Sequence, residues 1–238
     1  IIKSPTAELP GDFSGGFIKI STKNMPDENS LSLSVGTGIN TVTHFKDFSL
    51  LQSSSTEWLG FDRCARPLSK DFPSHLGSMT DPSQITYYTK TGFNNDWNVK
   101  TFRPLPDLKL NLTWNRKIGD KVGTILTFGY SNANKTIPDM QNTRYGIYSA
   151  TADVPTIEKN YIDNQFTNEV KINAMNNWSF ILDSRNRFEF RNLFSQIGKN
   201  RFTERYGTST VSGEYYENQT EMLYSSRLSY VGQLAGLH

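Results

Sequence analysis

Apolar and polar residues alternate along several separate stretches of this chain. In the first, over residues 30–40, Leu31, Leu33, Val35 and Ile39 are separated by small or polar residues. A period of two indicates a half-buried β-strand. The same period predicts further strands at about 108–114, 122–130, 166–182, 187–194 and 221–235. The sequence therefore predicts an all-β fold with about six antiparallel strands.

The two faces of these predicted strands differ in composition. One face carries large apolar side chains, among them Leu110, Leu126, Phe128, Phe180 and Phe190. The other face is small or polar. Its small members include Ser32, Ser34, Gly36, Gly123, Thr127 and Gly129, and its charged members are Lys109, Glu169, Lys171, Glu189, Arg191 and Arg227. A small-residue face is suited to close contact with another part of the protein, whereas the charged residues fit either a solvated face or a wet interior.

Long predicted connections alternate with short ones. Periodicity is lost over about 45–98, about 131–161 and about 203–213, whereas 115–121 and 183–186 read as short turns. Such asymmetry is typical of outer-membrane barrels. Trp114 and Trp178 lie close to the short turns, and indole rings favour a membrane–water interface. The pattern therefore predicts part of a large antiparallel transmembrane β-barrel, with long outer loops, short periplasmic turns and these two tryptophans as interface aromatics.

A glycine-rich run precedes the first alternating strand. Gly11, Gly15 and Gly16 lie in Leu9–Lys23, and an apolar stretch from Phe17 to Ile20 follows them. Glycine is needed where the backbone takes φ > 0 or where another segment approaches closely. No GK[ST] motif follows, so a phosphate-binding loop is disfavoured. The run predicts a tight turn that leads into a short buried strand.

This run resembles the end of the plug domain in TonB-dependent outer-membrane receptors of the Bacteroidetes (SusC-like) type. In that family a Gly-Asp-Phe-small-Gly-Gly segment leads into a strand ending in Thr-Lys, as Gly11–Gly16 and Ile18–Lys23 do here. Phe13-Ser14 departs from the alanine-rich approach that is more general in the family. The resemblance implies that residues 1–26 are the end of a plug and that residues 27–238 are the first part of the barrel.

A second segment carries the same resemblance. Trp58–Asp62 and Arg66–Leu68 are similar to part of the first long extracellular loop of these receptors. The loops supply our candidate ligand-binding residues, which are Trp58, Arg63, Arg66, Tyr145 and Tyr148. For Trp58, packing of the ring inside a folded loop is favoured over contact with ligand.

The resemblance also implies a function and partners. Such receptors take up an iron chelate, cobalamin, glycan or peptide across the bacterial outer membrane, driven by plug remodelling. The partners implied are the rest of the receptor, outer-membrane lipid, the TonB complex through a segment not in this chain, and a surface lipoprotein cap. The chain begins at Ile1 without a signal peptide, and we expect it to be an internal fragment whose first and last strands pair with further polypeptide.

Composition and charge bear on nucleic-acid binding, disulfide bonds, metal sites and enzyme activity. The 25 basic and 23 acidic residues leave a net charge of +2, which gives no basic excess for nucleic-acid binding. The single Cys64 excludes an internal disulfide, and the three histidines lack metal-ligand spacing. No catalytic motif is recognisable, so we expect neither enzyme activity nor a cofactor or metal.

Two other classes share these strand patterns. A soluble secreted β-sandwich or a surface adhesin has similar short alternating strands, but its apolar faces meet a second sheet. A passive porin is a barrel with no use for the glycine-rich segment. The environment of the apolar faces therefore separates the hypotheses.

Overall fold

Six long strands and a folded insertion make up the part of the chain that the structure describes. The structure is a computed structural model, and it describes residues 25–237 apart from 53, 64–65, 76, 78, 94–95 and 212. Residues 1–24 of the predicted plug segment, with Gly11, Gly15 and Gly16, lie outside these residues, and only Met25 and Pro26 of that segment are described. Its boundary with the barrel at residue 26 therefore stays a prediction.

The elements follow one another in a simple order. The strands are β1 (Ser30–Gly38), β2 (Phe48–Leu51), β3 (Val99–Phe102), β4 (Asp107–Ile118), β5 (Val122–Ser149), β6 (Val154–Ile181), β7 (Arg187–Ser209) and β8 (Tyr215–Leu237). A short 3-10 helix, Glu57–Leu59, and helix α1, Pro82–Thr91, lie between β2 and β3. Asp81 caps α1 by accepting a hydrogen bond from the Ser83 amide, and Pro82 occupies the first turn.

The long strands form one antiparallel sheet in the order β1-β4-β5-β6-β7-β8. Strands β2 and β3 form a separate two-stranded ribbon. The all-β prediction and the antiparallel six-stranded sheet are confirmed. Among the described residues, β1 and β8 are the edges of this sheet and do not pair with each other. The sheet is therefore open.

The cross-strand register places the predicted apolar side chains on one face. One row runs across the whole sheet through Leu33, Leu112, Phe128, Ala174, Phe194 and Tyr230. The neighbouring row on the other face contains Ser34, Asn111, Gly129, Asn173, Ser195 and Ser229. We call the row through Leu33 and Phe128, together with the adjacent rows on the same face, the apolar band. The face of the sheet that carries this band is the band face.

Several predicted loops are strand instead. Residues 131–149 and 154–161 form the outer parts of β5 and β6, and the connection between these strands is only residues 150–153. Likewise β7 continues to Ser209 and β8 begins at Tyr215. The predicted alternation of long and short loops is therefore wrong in this form, since the one long connection within the described sheet is residues 39–106, called the insertion. The two ends of the sheet still differ. At the end away from the short turns, the strands extend much farther past the apolar band than they do at the short-turn end.

Proline was the misleading signal in β5. Pro138 lies in the strand beside a register shift between Ile137 and Met140. Asp139 adopts a positive φ of 50° there, and its amide donates to Asn164 Oδ1 at 3.0 Å. A bulge accommodates a residue that cannot donate to the ladder. The strand consequently continues past Pro138, although proline is typical of a loop.

Candidate functional site

Much of the apolar band is exposed. Its exposed members include Leu31, Leu33 and Val35 on β1, Leu108 and Trp114 on β4, Phe128 on β5, Phe188 and Phe190 on β7, and Tyr230 and Leu234 on β8. Monomeric soluble proteins rarely expose a contiguous apolar surface of this extent. No second sheet covers the band in the described part of the chain. The band is therefore an apolar surface that requires a partner or a lipid environment.

The opposite face is polar, and a buried charged side chain forms ion pairs on it near the short turns. The Glu189 side chain is 1% exposed and forms ion pairs with Arg187, at 2.9 Å, and with Arg191. Ser179, which pairs with Glu189 across the strands, is buried as well. Leu193 and Val231 are exposed apolar exceptions on this face. A buried carboxylate with two guanidinium partners fits an interior polar surface and is unsuited to contact with lipid.

Gly123 on that same face lies against the chain that follows the glycine-rich run. A Cβ at Gly123 would lie 2.7 Å from Pro26 Cδ and 3.3 Å from Met25 Cγ. The small-residue face predicted from Gly123, Thr127 and Gly129 therefore receives another segment at one of its members. This contact places the end of the predicted plug segment on the polar face, away from the band.

The insertion packs on the same face of the sheet as the apolar band. It covers the part of that face that lies past the band, away from the short turns. Phe48 is fully buried and makes edge contacts with Phe102, at 5.5 Å between ring centroids, and with Phe166 of β6, at 5.4 Å. The Thr136 amide donates to Thr43 Oγ1 at 2.9 Å. Phe166 and Thr136 pair across the sheet and share a face with Phe128. The ribbon of β2 and β3 therefore packs on the same side of the sheet as the apolar band.

Gly60 of the insertion lies in close contact with the sheet. Its φ of 79° is left-handed, and its carbonyl oxygen accepts hydrogen bonds from Gln196 Nε2 and, at 3.3 Å, from Ser226 Oγ. Glycine at 198 leaves room for this approach because a Cβ there would lie 2.5 Å from Gly60 Cα. Sequence reasoning missed this contact, since neither glycine has a local turn motif that predicts it.

Arg66 holds the segment around Gly60 together. Its Nη1 donates to Glu57 Oε1 at 2.9 Å and lies 3.4 Å from Asp62 Oδ2, while its Nη2 donates to the Gln52 carbonyl at 2.9 Å. Its guanidinium also stacks over the Tyr224 ring at 4.6 Å. Burial raises the pKa of Tyr224, which lies outside the band, to about 12. Every one of these contacts is internal, which favours a structural role for Arg66.

The other candidate ligand-binding residues are dispersed. Trp58 is 59% exposed, and its carbonyl accepts a hydrogen bond from Tyr130 Oη at 2.9 Å. Arg63 is exposed on the same segment. Tyr145 and Tyr148 lie near the distant tip of the β5–β6 hairpin, where a hydrogen bond to Asp153 raises the pKa of Tyr148. The structure brings Trp58 and Arg66 into one segment and leaves the two tyrosines apart from them.

A cleft of about 730 Å³ opens between the insertion and the sheet. Its floor includes Leu108, Asn132, Asn134 and Asn168, which lie on the band face. Its walls are mainly apolar and include Leu50, Leu51, Phe102, Pro104, Leu105 and Pro106, with Trp58, Lys100 and Arg103 as further members. Sequence reasoning identified only Trp58 of this set, because β2 and β3 are short strands that pair across almost fifty residues.

In the ranges that the structure describes, no three His, Cys, Asp or Glu side chains gather where they would bind a metal ion. No helix among the described residues is long and apolar enough to cross a membrane. Comparison of the chain with protein-family models, with curated proteins and with solved structures finds no match.

Proposed function

We propose that this chain is part of a TonB-dependent receptor of the bacterial outer membrane, comprising the end of its plug and the first six strands of its barrel. The receptor takes up a ligand by energy-coupled plug remodelling, as the resemblance of Gly11–Lys23 and Trp58–Leu68 implies. The observation that carries the proposal is the exposed apolar band on one face of an open antiparallel sheet.

The dimensions of the band support this placement. On β5 it extends over about nine residues, from Val122 to Tyr130, next to the short turn 119–121. A tilted strand needs about 9–11 residues to cross a bilayer. Trp114 and Trp178 lie near the short-turn end of the band, where an aromatic girdle is expected. The polar face with Glu189 then lines the barrel interior.

The open edges support a fragment of a larger barrel. Six strands are fewer than the roughly eight of the smallest outer-membrane barrels, and unpaired backbone groups are unfavourable in lipid. We therefore expect β1 and β8 to pair with further strands of the same receptor. The soluble sandwich or adhesin needs a second sheet over the band, and the described residues supply none.

The test uses spin labels in the full-length protein reconstituted in phospholipid nanodiscs. Labels at Phe128 and Phe190 report the band face, and matched labels at the adjacent Thr127 and at Arg191 report the opposite face. We expect the first pair to be accessible to oxygen and shielded from a water-soluble nickel relaxation agent, and the second pair to lack that lipid signature. Labels on both faces that are shielded from lipid would reject the membrane placement and favour a sandwich.

Transport needs a separate measurement. Cells that express the full-length receptor are grown with each of the four ligand classes as a limiting nutrient, with and without an intact TonB gene. We expect growth on one class to require both the receptor and TonB. Receptor-dependent growth that is unaffected by TonB loss would instead favour a passive porin.

A further inference from the structure

The cleft between the insertion and the sheet is continuous with the apolar band. Leu108 belongs to both, since it lines the cleft and heads the apolar series of β4 that continues through Leu110, Leu112 and Trp114. The insertion begins to contact the band face directly beyond the row of Phe128, where Tyr130 Oη meets the Trp58 carbonyl. A molecule in the cleft therefore reaches the band without crossing the sheet.

This position separates the cleft from the barrel interior. In the membrane placement proposed above, on which this inference rests, the band face points outward to lipid. The insertion and its cleft then lie on the outer wall of the barrel, at the level of the lipid headgroups. Trp58 is exposed at the same level, where an indole ring is favoured. The expected occupant is thus a component of the membrane rather than a ligand in transit.

The charge of the cleft selects the kind of lipid. Lys100 is exposed and has no salt bridge to any of the described residues, and Arg103 is 71% exposed with a surface ion pair to Asp47 at 3.0 Å. The one carboxylate of the lining, Glu57, is already paired with Arg66 at 2.9 Å. Lys100 therefore lies above the apolar walls without a carboxylate partner among the described residues, and the exposed Arg103 beside it shares its charge with Asp47 at the surface. This combination fits an anionic headgroup joined to an acyl chain.

We propose that the cleft binds a membrane lipid with an anionic phosphate headgroup. The phosphate lies by Lys100 and Arg103, and the acyl chain follows Leu105 and Leu108 onto the apolar band. Asn132 and Asn134 offer amide groups at the floor, and Asn168 Nδ2 already donates to the side-chain oxygen of each, at 2.7 and 2.9 Å. The site recognises both the anionic headgroup and the acyl chain of the lipid.

The experiment measures lipid binding to the detergent-solubilised full-length receptor by native mass spectrometry. Phosphatidylglycerol and phosphatidylcholine with identical acyl chains are the probes. We expect phosphatidylglycerol to bind at least tenfold more tightly. Lys100→Glu combined with Arg103→Glu should remove that preference, and the milder Lys100→Gln should weaken phosphatidylglycerol binding at least threefold. Leu105→Asn should weaken the binding of both lipids.

Lys109→Glu is the matched control. Lys109 follows Leu108 directly and lies on the opposite face of the strand, so the same charge reversal there should leave the preference unchanged. Equal binding of the two lipids, a preference that survives the double variant, or an equal loss in Lys109→Glu would overturn the proposal. Full competition by inorganic phosphate would overturn the lipid assignment in favour of a phosphate site.

The lipid-binding measurement and the spin-label measurement of the proposed function can fail separately. If the labels at Phe128 and Phe190 report lipid but no headgroup preference appears, only the lipid site is rejected. If the labels report a packed core, the membrane placement itself is rejected.

Discussion

The backbones of Gly60 and Gly198 touch, one in the insertion and the other in the middle of β7. A Cβ on Gly198 would lie 2.5 Å from the Cα and 2.7 Å from the carbonyl oxygen of Gly60. The two residues are far apart in sequence, and their contact aligns the hydrogen bonds from Gln196 and Ser226 to the same carbonyl. This contact fixes the insertion on the sheet.

Gly198→Ala should release the insertion. The added methyl group meets backbone rather than a flexible side chain, and overpacking of this kind costs about 1–3 kcal/mol. We expect faster limited proteolysis within the insertion of the full-length protein. Gly236→Ala is the control, since no atom lies within 4 Å of a Cβ at that position. Equal proteolysis of the two variants would show that the contact does not hold the insertion.

Replacing Arg66 should have a structural effect. Glu57 is 9% exposed and also accepts hydrogen bonds from the Ser54 amide and Asn200 Nδ2, so Arg66→Gln leaves a buried carboxylate short of its cation. The expected loss is about 1–3 kcal/mol. Hydrogen exchange at residues 54–61 should accelerate. Arg63→Gln, at an exposed position on the same segment, should change nothing. If Arg66→Gln abolishes uptake while exchange stays slow, Arg66 contacts ligand instead.

Acid should weaken the outer part of the sheet through Asp163. Arg205 on β7 donates to both carboxylate oxygens of Asp163, at 2.8 and 2.7 Å, and this pairing holds the pKa of Asp163 below its ordinary value. A carboxyl group with a depressed pKa contributes stability above its unfolded pKa of about 3.9, and that contribution is lost as the pH falls through the folded value. Asp163 lies beyond the apolar band.

The measurement is urea unfolding of the full-length protein between pH 7 and pH 3. The wild-type protein should lose stability below about pH 4, in the range set by an aspartate with a depressed pKa. Asp163→Asn should be less stable at neutral pH and should show a flatter dependence in the acid range. A variant with the same acid sensitivity as the wild type would assign that sensitivity to other carboxylates.

A charge on the band face should impair membrane assembly. Phe128→Arg places a cation on the apolar surface, which costs about 2–4 kcal/mol at the bilayer midplane. Thr127→Arg places the same cation one residue away on the polar face. In the proposed membrane placement, we expect a lower yield of folded protein in outer-membrane fractions for Phe128→Arg alone, read from heat-modifiable mobility in gels. Equal yields would contradict a lipid-facing band.

The sequence predicted the inner part of the sheet well because one physical rule governs it. Over most of Val122–Phe128, and over Phe188–Arg191, large apolar residues alternate with smaller or polar ones. The register confirms that these residues share a face. Burial or lipid contact on one side alone is sufficient to produce this period.

The outer part of the sheet follows a different rule. Beyond Tyr130 both faces of β5 are largely polar, with Asn132, Asn134 and Thr136 on one and Ser131 and Lys135 on the other, so little contrast remains between adjacent positions. The strand is maintained there by pairing with β6 over residues 131–149 rather than by one-sided burial. Such pairing is not encoded in any short window of sequence.

The insertion was the least predictable region. Its four-residue strands β2 and β3 pair across a long loop, and Gly60 meets Gly198 through tertiary structure alone. One local signal was overlooked: Asp81-Pro82 starts α1 with an N-cap and a proline in the first turn. The cations of the cleft, Lys100 and Arg103, had no motif by which to find them.

The length of β5 and β6 has a consequence for what reaches this protein from outside. Each strand has 28 residues, which corresponds to roughly 90 Å of extended chain, whereas an apolar band is about 25 Å tall. If the band lies in the bilayer, most of the β5–β6 hairpin extends outward beyond the surface of the membrane. Antibodies, phages and proteases would meet the tip around Tyr145 and Tyr148 before they meet any other described part of the chain.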